Sequence, residues 1–236
     1  MAPVLELHGA HRAYGDAPVL RGVDLELFAG EIVGVGGASG SGKSTLLRAL
    51  AGLERPDAGE LLMDGEPVWG ARSKARRVLP RPGFVQQVFQ DPVGALDERW
   101  PIWRSITEPL TAPGRGARLS RTARRERAAK ALRSVGLHGL PLDARPGMLS
   151  IGQCQRVAIV RSMIAGPAVL LADEPTSALD SMSTGGVLDL LRGAAASGAA
   201  LVVVSHDERV LRALRHRTLM LAGGRLTSVP ERQRPR

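Results

Sequence analysis

The stretch Gly37–Thr45, GASGSGKST, decides the fold of this 236-residue chain. It matches the pattern GxxxxGK[ST], in which glycines allow backbone N–H groups to close around the phosphates of a nucleotide. Before it, Glu31–Gly36 (EIVGVG) has the apolar character of a buried strand, and after it Lys43–Leu53 carries leucines at helical spacing. A strand, a glycine loop and a helix in this order are the context that the motif requires, so we predict a phosphate-binding site.

The residue types within the motif have separate chemical roles. Lys43 supplies a positive charge to the β- and γ-phosphate oxygens, and the hydroxyl of Ser44 is a ligand for Mg²⁺. The N-terminus of the following helix adds a dipole that favours anions. The predicted phosphate-binding residues are Gly37, Ala38, Ser39, Gly40, Ser41, Gly42, Lys43, Ser44 and Thr45.

A second segment supplies carboxylates. Val169–Ala172 is an apolar run that reads as a buried strand, and Asp173 and Glu174 follow it directly. Ligands of α/β proteins bind beyond the carboxyl ends of such strands. We expect Asp173 to orient the shell of a Mg²⁺ ion and Glu174 to take a proton from an attacking water.

The composition excludes several classes of protein. A single cysteine, Cys154, rules out an internal disulfide framework and fits a reducing compartment. Apolar runs such as Ala199–Val204 are far shorter than the roughly 20 residues of a membrane-spanning helix. The first residues, MAPVLELHG, lack the features of a signal peptide. We expect a cytoplasmic protein that attaches to a membrane only through a partner.

The net charge of +9 comes almost entirely from arginine, because the lysines are Lys43, Lys74 and Lys130. A basic balance is compatible with nucleic acid, anionic lipid headgroups or phosphate-rich ligands. The excess is concentrated in one helical stretch and in the tail, which favours a solvated arginine-rich surface over nucleic-acid binding.

Four further segments resemble motifs of the ABC-transporter ATPases. Leu149–Gln153 (LSIGQ) resembles the LSGGQ signature of that family, and Ala172–Asp180 (ADEPTSALD) resembles its Walker B and D-loop motifs. Val203–Asp207 (VVSHD) resembles the switch-histidine motif, and Val88–Pro92 (VFQDP) resembles the Q-loop. The resemblance extends over about residues 4–225, nearly the whole chain.

The resemblance implies ATP and Mg²⁺ as cofactors and assigns roles to matching residues. Tyr14 would stack on the adenine ring, although a tyrosine at this place is also compatible with a core position. Gln90 would contact Mg²⁺ or the attacking water, and His206 would contact the γ-phosphate and position Glu174. The implied Mg²⁺ ligands are Ser44, Gln90 and Asp173.

The family also implies a partner subunit, because its signature loop binds the γ-phosphate of ATP held on a second ABC ATPase in a head-to-tail dimer. This role falls to Ser150, Gly152 and Gln153, where free N–H groups at a helix N-terminus attract phosphate. Asp180 is expected at the same interface. The pair would be a homodimer or a heterodimer. Integral-membrane permease subunits and a substrate-binding protein are the other implied partners.

Ile151 departs from the family pattern, which has a glycine there. A β-branched side chain restricts the backbone and adds bulk where a phosphate must approach. Either the side chain turns into its own subunit and leaves Ser150 and Gly152 to bind, or the signature is weakened and a dimer has unequal sites. We expect the first arrangement.

Buried strands that alternate with helices predict an α/β fold. The expected architecture is a P-loop NTPase core with a mostly parallel sheet, an N-terminal antiparallel β subdomain and a helical subdomain. Residues 1–236 would form one ABC ATPase domain: 1–90 and 157–229 as catalytic core with β subdomain, 91–156 as helical subdomain, and 230–236 as a disordered tail.

The kind of transporter is suggested by Gln90–Leu110 (QDPVGALDERWPIWRSITEPL), which resembles the peptide and nickel importer ATPases, although Asp97–Arg99 departs from their pattern. The expected function is to energise an importer of peptides, nickel or a related small solute. Trp100 and Trp103 would either contact a membrane subunit or pack within the helical subdomain. The alternative is a soluble ABC ATPase acting on nucleic acid or ribosomes, which usually carries two ATPase domains or a long insertion.

Overall fold

The apolar runs of the sequence become the strands of two β-sheets in a computed structural model, which describes residues 2–70, 82–112, 119–177, 179, 181–214 and 216–229. In chain order, the described strands are β1 (Leu5–Tyr14), β2 (Ala17–Leu27), β3 (Ile32–Gly36), β4 (Ala58–Met63), β5 (Glu66–Trp69), β6 (Val85–Val88), β7 (Val169–Asp173), β8 (Ala200–Val204), β9 (Arg217–Ala222) and β10 (Arg225–Ser228). The described α-helices are α1 (Lys43–Leu50), α2 (Ile102–Thr107), α3 (Arg121–Ser134), α4 (Ile151–Met163), α5 (Ser181–Ala196) and α6 (Glu208–Leu214).

The larger sheet is mostly parallel, as predicted. Its strand order is β10-β9-β3-β8-β7-β6, and among these described strands β10 alone pairs antiparallel. Every residue of β3 and β8 is buried. Strands covered on both faces need apolar side chains at every position, which explains their continuous apolar runs. The sequence did not predict the β9–β10 hairpin, whose last strand is largely exposed.

The smaller sheet is antiparallel and has the order β2-β1-β4-β5, which confirms the predicted N-terminal β subdomain. Leu5 lies opposite Leu27 on one side and Met63 on the other, so apolar residues share one face. The register of β1 shifts beyond Leu7, and such irregularities change the faces that later residues occupy. The strand ends at Tyr14, whose hydroxyl group accepts a hydrogen bond from Arg48 of α1.

Three apolar clusters hold these elements together. The first joins the facing sides of the two sheets and α1, and includes Leu5, Leu27, Val33, Leu46 and Leu61. The second lies on the opposite face of the larger sheet against α5, and includes Leu170, Val187, Leu191, Leu201 and Val203. The third is formed by the helical region, and includes Leu96, Ile102, Ile106, Leu132 and Val157. Helix α4 contributes to the last two through Ile159 and Val157, so the larger sheet and the helical region both fix its position.

The two tryptophans of the helical region have different environments. Trp103 is only 7% exposed and belongs to the third cluster. Of the two predicted alternatives, packing within the helical region is therefore the correct one for Trp103. Trp100 is half-buried, with the guanidinium of Arg104 lying 4.0 Å from the centre of its ring. Trp100 also lines a groove of about 210 Å³, together with Ala95, Leu96, Asp97, Ser105, Glu108 and Arg161.

Within the described residues, no helix is both long enough and apolar enough to cross a membrane. The predicted disordered tail, 230–236, lies outside the described residues.

Candidate functional site

The carboxyl ends of the parallel strands meet at one edge of the larger sheet. Val204 of β8 lies opposite both Val35 of β3 and Asp173 of β7, so the three strands end at the same level. The loops that follow them enclose a cleft of about 630 Å³. The cleft is lined by Tyr14, Val19, Ser39, Gly40, Gly42, Lys43, Ser44, Thr45, Gln90, Asp173, Glu174 and His206. All of these were predicted site residues except Val19.

Two glycines of the phosphate loop stand where a side chain would collide with neighbouring atoms. A Cβ atom at Gly37 would lie 2.6 Å from the carbonyl oxygen of Leu221. At Gly42, where φ is +100°, a Cβ atom would lie 2.7 Å from a methyl group of Val19. Contacts this short do not occur without movement of the neighbouring atoms, and the positive φ adds strain for any other residue. The local fold therefore requires these glycines.

The loop has the donors that a polyphosphate group requires. The ammonium of Lys43 donates hydrogen bonds to the carbonyl oxygens of Gly37 (2.9 Å) and Ala38 (2.7 Å), which curls the loop around a positive charge. The hydroxyl oxygen of Ser41 is buried and has no hydrogen-bond partner among the described residues. Helix α1 begins after Gly42, and no side chain caps this end of the helix. The backbone N–H groups of its first turn are therefore left for a ligand at the cleft. These groups fit bound phosphates.

The residues expected to hold Mg²⁺ also meet at this edge. The hydroxyl of Ser44 donates to Oδ2 of Asp173 at 3.1 Å, and Gln90 lines the same cleft. Burial, and then the negative charge of Glu174, raise the pKa of Asp173, with the hydrogen bond from Ser44 acting in the opposite direction. A bound cation would relieve this cost, and the hydroxyl, amide and carboxylate oxygens are ligands that Mg²⁺ prefers. The donor set therefore fits the ion.

Glu174 is held in a strained backbone conformation. Its φ is +47°, which is uncommon for a residue other than glycine, and its N–H donates to the carbonyl oxygen of Val204 at 3.0 Å. Oε1 accepts hydrogen bonds from the backbone N–H of His206 at 2.9 Å and from Nδ1 of His206 at 2.8 Å. Oε2 accepts from the hydroxyl of Ser205 at 3.3 Å. The carboxylate is thus fixed at the cleft by the loop after β8.

Tyr14 lies at the other end of the cleft. Its side chain is 44% exposed, so the alternative of a core tyrosine is wrong. Its hydroxyl donates to Oε1 of Glu54 at 2.6 Å and accepts from Arg48 at 3.0 Å. Thr45, predicted to bind a phosphate, is only 5% exposed, and its hydroxyl accepts from the same guanidinium at 3.3 Å. Thr45 therefore has a contact at the Tyr14 end of the cleft.

Glu54 is a residue of the site that the sequence did not identify. Burial by itself would raise its pKa, but hydrogen bonds from Tyr14, Arg48 and Arg12 outweigh this effect and lower the pKa to about 2. The sequence held one signal for the partners of Glu54. Alternation along β1 places Arg12 and Tyr14 on the same side of the strand. Glu54 comes from a loop after α1, where no periodic pattern applies.

The predicted signature residues lie away from the cleft of their own chain. Ser150 caps the N-terminus of α4: its hydroxyl accepts from the N–H of Gln153 at 3.2 Å, and Oε1 of Gln153 accepts from the N–H of Ser150 at 2.9 Å. This reciprocal capping box uses the side chain of Gln153 within the helix. Gly152 follows Ser150 in the first turn. Asp180, expected at the same interface, lies outside the described residues.

The expectation that Ile151 turns into its own subunit is wrong. Its side chain is 52% exposed, and the nearby Met148 is 74% exposed. The chain turns at Ser150 from an extended segment into α4, and Leu149 takes the inward position against the third apolar cluster. Ile151, the first residue of the helix, is left on the outer surface beside the backbone N–H groups of the first turn.

Known proteins are similar to this chain in sequence and in structure. Residues 20–177 match the family model described as ABC transporter. The chain is 40% identical over 218 residues to the di/tripeptide transport ATP-binding protein DppF of Pseudomonas aeruginosa, covering 92% of this chain and 66% of that protein. It is 39% identical over 231 residues to the lipoprotein-releasing system ATP-binding protein LolD 2 of Caulobacter vibrioides, covering 95% of this chain and 96% of that protein.

A solved structure has the same fold. It is a dimeric post-hydrolysis state of the ATP-binding cassette MJ0796 bound to ADP and Pi, and it superposes with a TM-score of 0.83 at 31% identity. The superposition covers 97% of this chain and 100% of that one. The chain spans 66% of the length of DppF, just under two thirds.

The lowered pKa of Glu54 makes part of the free energy of unfolding depend on pH. A carboxylate whose pKa falls from 4.5 to about 2 on folding stabilises the folded state above pH 4.5, and this contribution is lost as the pH falls toward 2. We expect Glu54→Gln to be less stable than the wild type at pH 6, with the difference shrinking as the pH falls from 4.5 to 2. Urea unfolding at a series of pH values measures it. A difference that is the same at pH 6 and pH 3 would contradict the assignment.

Proposed function

The chain belongs to the ABC transporter family, and we propose that it binds and hydrolyses ATP to drive transport through membrane-embedded partner subunits. The observation that carries the proposal is the meeting of four groups at one sheet edge: the phosphate loop, Asp173, Glu174 and His206. ABC ATPases use ATP with Mg²⁺, and the donors at this edge fit both. The family assignment and the geometry therefore support the same chemistry.

The two ends of the cleft would hold different parts of the nucleotide. Lys43, the glycine loop and the N-terminus of α1 bind the phosphates, and Tyr14 offers an aromatic ring to the adenine. Ser44, Gln90 and Asp173 would hold Mg²⁺. When bound, the ion neutralises negative charge on the phosphate oxygens.

Glu174 would act as the general base. Its carboxylate takes a proton from the water that attacks the γ-phosphorus, and the bond to the leaving ADP oxygen breaks to release phosphate. The two hydrogen bonds from His206 to Oε1 fix the orientation of the carboxylate. His206 is then a positioning residue for Glu174 as well as a candidate contact for the γ-phosphate.

A second ABC subunit would complete each site. Ser150 and Gly152 lie at an exposed helix N-terminus, and they do not line the cleft of their own chain within the described residues. The similar cassette MJ0796 is described as a dimer with ADP and Pi, which supports a head-to-tail arrangement here. Gln153 would act through Ser150, because its side chain closes the capping box. Asp180 remains a predicted interface residue.

We also propose a class of cargo and a set of partner proteins for this chain. We place the chain on the cytoplasmic face of the membrane with permease subunits and a substrate-binding protein, as part of an importer of peptides, nickel or a related small solute. The similarity to DppF, a di/tripeptide transport protein, supports this, whereas LolD 2 belongs to a lipoprotein-releasing system. The groove beside Trp100 would receive the membrane subunit. The relatives' transport functions disfavour the nucleic-acid alternative.

Purification from native membranes tests the transport role. We expect the tagged chain, extracted in detergent, to copurify in fixed stoichiometry with an integral-membrane protein and to hydrolyse ATP in that complex. Salt-sensitive RNA or DNA binding without a membrane partner would contradict the proposal and favour the alternative.

Glu174→Gln is expected to preserve ATP binding and to lower ATP hydrolysis by at least about a hundredfold, the scale of a general-base contribution. An amide cannot accept the proton, but it keeps the shape and most hydrogen bonds of the carboxylate. Nucleotide binding and phosphate release are measured on the same preparation.

Two variants serve as comparisons for Glu174→Gln. Lys43→Ala removes a charge from the phosphate loop, and we expect it to weaken binding itself. Glu208→Gln changes an exposed carboxylate on α6 that pairs with Arg212, and we expect wild-type hydrolysis. Unchanged turnover in Glu174→Gln would refute the general-base role.

The exposed Ile151 predicts a gain of function. Replacing it with glycine removes bulk beside the N–H groups of α4, so we expect Ile151→Gly to raise ATP turnover of the assembled complex by up to about tenfold, or roughly 1.4 kcal/mol. Because the signature acts on the partner's nucleotide, the gain is expected to vanish on dilution to isolated subunits. A loss of turnover, or no change, in the complex would contradict a weakened signature.

A further inference from the structure

Glu54 is the centre of a charged cluster around the hydroxyl of Tyr14. Its Oε1 accepts hydrogen bonds from Tyr14 at 2.6 Å and from Nε of Arg12 at 2.7 Å. Its Oε2 accepts from Nε of Arg48 at 2.8 Å, and the same guanidinium donates to Tyr14 at 3.0 Å. The side chain of Glu54 is only 19% exposed. One carboxylate therefore fixes one tyrosine and two arginines.

The cluster joins three separate parts of the chain. Arg12 and Tyr14 come from β1, Arg48 comes from α1, and Glu54 comes from the loop that follows α1. The backbone N–H of Glu54 donates to the carbonyl oxygen of Arg48 at 3.2 Å, which holds the loop against the end of the helix. The end of β1 is thus bound to the helix whose other end begins at the phosphate loop.

The ring of Tyr14 is held on one side and remains accessible. The guanidinium of Arg12 lies 4.8 Å from the ring centre, within the range of a cation–π contact. Tyr14 as a residue is still 44% exposed and contributes to the cleft. An aromatic residue that packs against a cation and is partly exposed in a cleft is suited to stacking a planar base.

We propose that Glu54 is a positioning residue for the nucleobase: it fixes Tyr14 through the tyrosine hydroxyl and so sets the place of the base relative to the phosphate loop. The inference rests on the proposed ATP-binding function. A negative charge is needed at this position because the carboxylate accepts from two guanidinium groups at once, whereas a neutral amide would turn N–H donors toward one of them. The low pKa of Glu54 agrees with this arrangement.

Binding measurements with ATP and with inorganic tripolyphosphate test the role. We expect Glu54→Gln to bind ATP about tenfold more weakly, within the range for loss of one stacked base, and to bind tripolyphosphate as the wild type does. Asp143→Asn is the matched control. It removes a carboxylate that pairs with both terminal nitrogens of Arg125 in the helical region, and we expect unchanged affinity for both ligands.

A double-mutant cycle tests whether Glu54 acts through Tyr14. Tyr14→Phe keeps the ring and removes the hydroxyl that Glu54 holds. If the two residues act as a unit, the affinity of the double variant for ATP equals that of the single variant with the lower affinity. Additive losses would overturn the proposal, because Glu54 would then act independently of the tyrosine.

The single tyrosine of the chain provides a direct spectroscopic signal. Protein labelled with 3-fluorotyrosine has one ¹⁹F resonance, which reports Tyr14 alone. We expect ATP to shift it in the wild type through the ring current of adenine, and tripolyphosphate to leave it nearly unchanged. In Glu54→Gln, the resonance of the free protein should move or broaden, and the shift on adding ATP should shrink.

The outcomes separate this inference from the proposed function. A wild-type protein that binds neither ATP nor tripolyphosphate overturns the ATP-binding function itself. A wild type that binds both, with Glu54→Gln unchanged or equally weakened for both ligands, overturns only the positioning role. An unchanged ¹⁹F signal in Glu54→Gln has the same consequence.

Discussion

The parallel pairing of β3 with β8, and of β8 with β7, is the constraint on which the cleft depends. Val204 is level with both Val35 and Asp173, so the loops that follow these strands leave the sheet side by side. A slip of one residue along β7 would move Asp173 by about 3.3 Å, enough to break its 3.1 Å hydrogen bond with Ser44. Such a slip would also turn each side chain of β7 to the opposite face of the sheet, out of the apolar cluster in which it packs.

The same pairing sustains the strain at Glu174. A residue with a side chain at φ +47° persists only where its surroundings hold it. The carbonyl oxygen of Val204 accepts its N–H, and the loop after β8 binds both carboxylate oxygens through Ser205 and His206. The stability of the sheet is therefore what keeps this carboxylate turned toward the cleft.

The two ends of the cleft depend on different interactions. At the end formed by the glycine loop, backbone N–H groups and Lys43 are arranged by that loop, whose shape follows from Gly37 and Gly42. At the Tyr14 end, charged side chains join the smaller sheet to α1 through Glu54. The surface that we propose for a second ABC subunit lies apart from both ends of the cleft. Helix α4 belongs to two apolar clusters and presents its capped N-terminus outward.

The sequence by itself determined the phosphate loop, the carboxylate pair, and the buried strands with the helices that alternate with them. Each of these is a local pattern of a few residues with its own period or chemistry. It predicted the mostly parallel sheet and the residues that line the cleft, apart from Val19. Only the tertiary structure decided that Tyr14 is exposed, that Ile151 faces outward and that Glu54 joins two arginines to the tyrosine. These facts depend on how β1, α1 and α4 pack against distant parts of the chain. No local pattern records that packing, since the side chain of Glu54 has no periodic position and the inward place beside Ile151 is filled by Leu149.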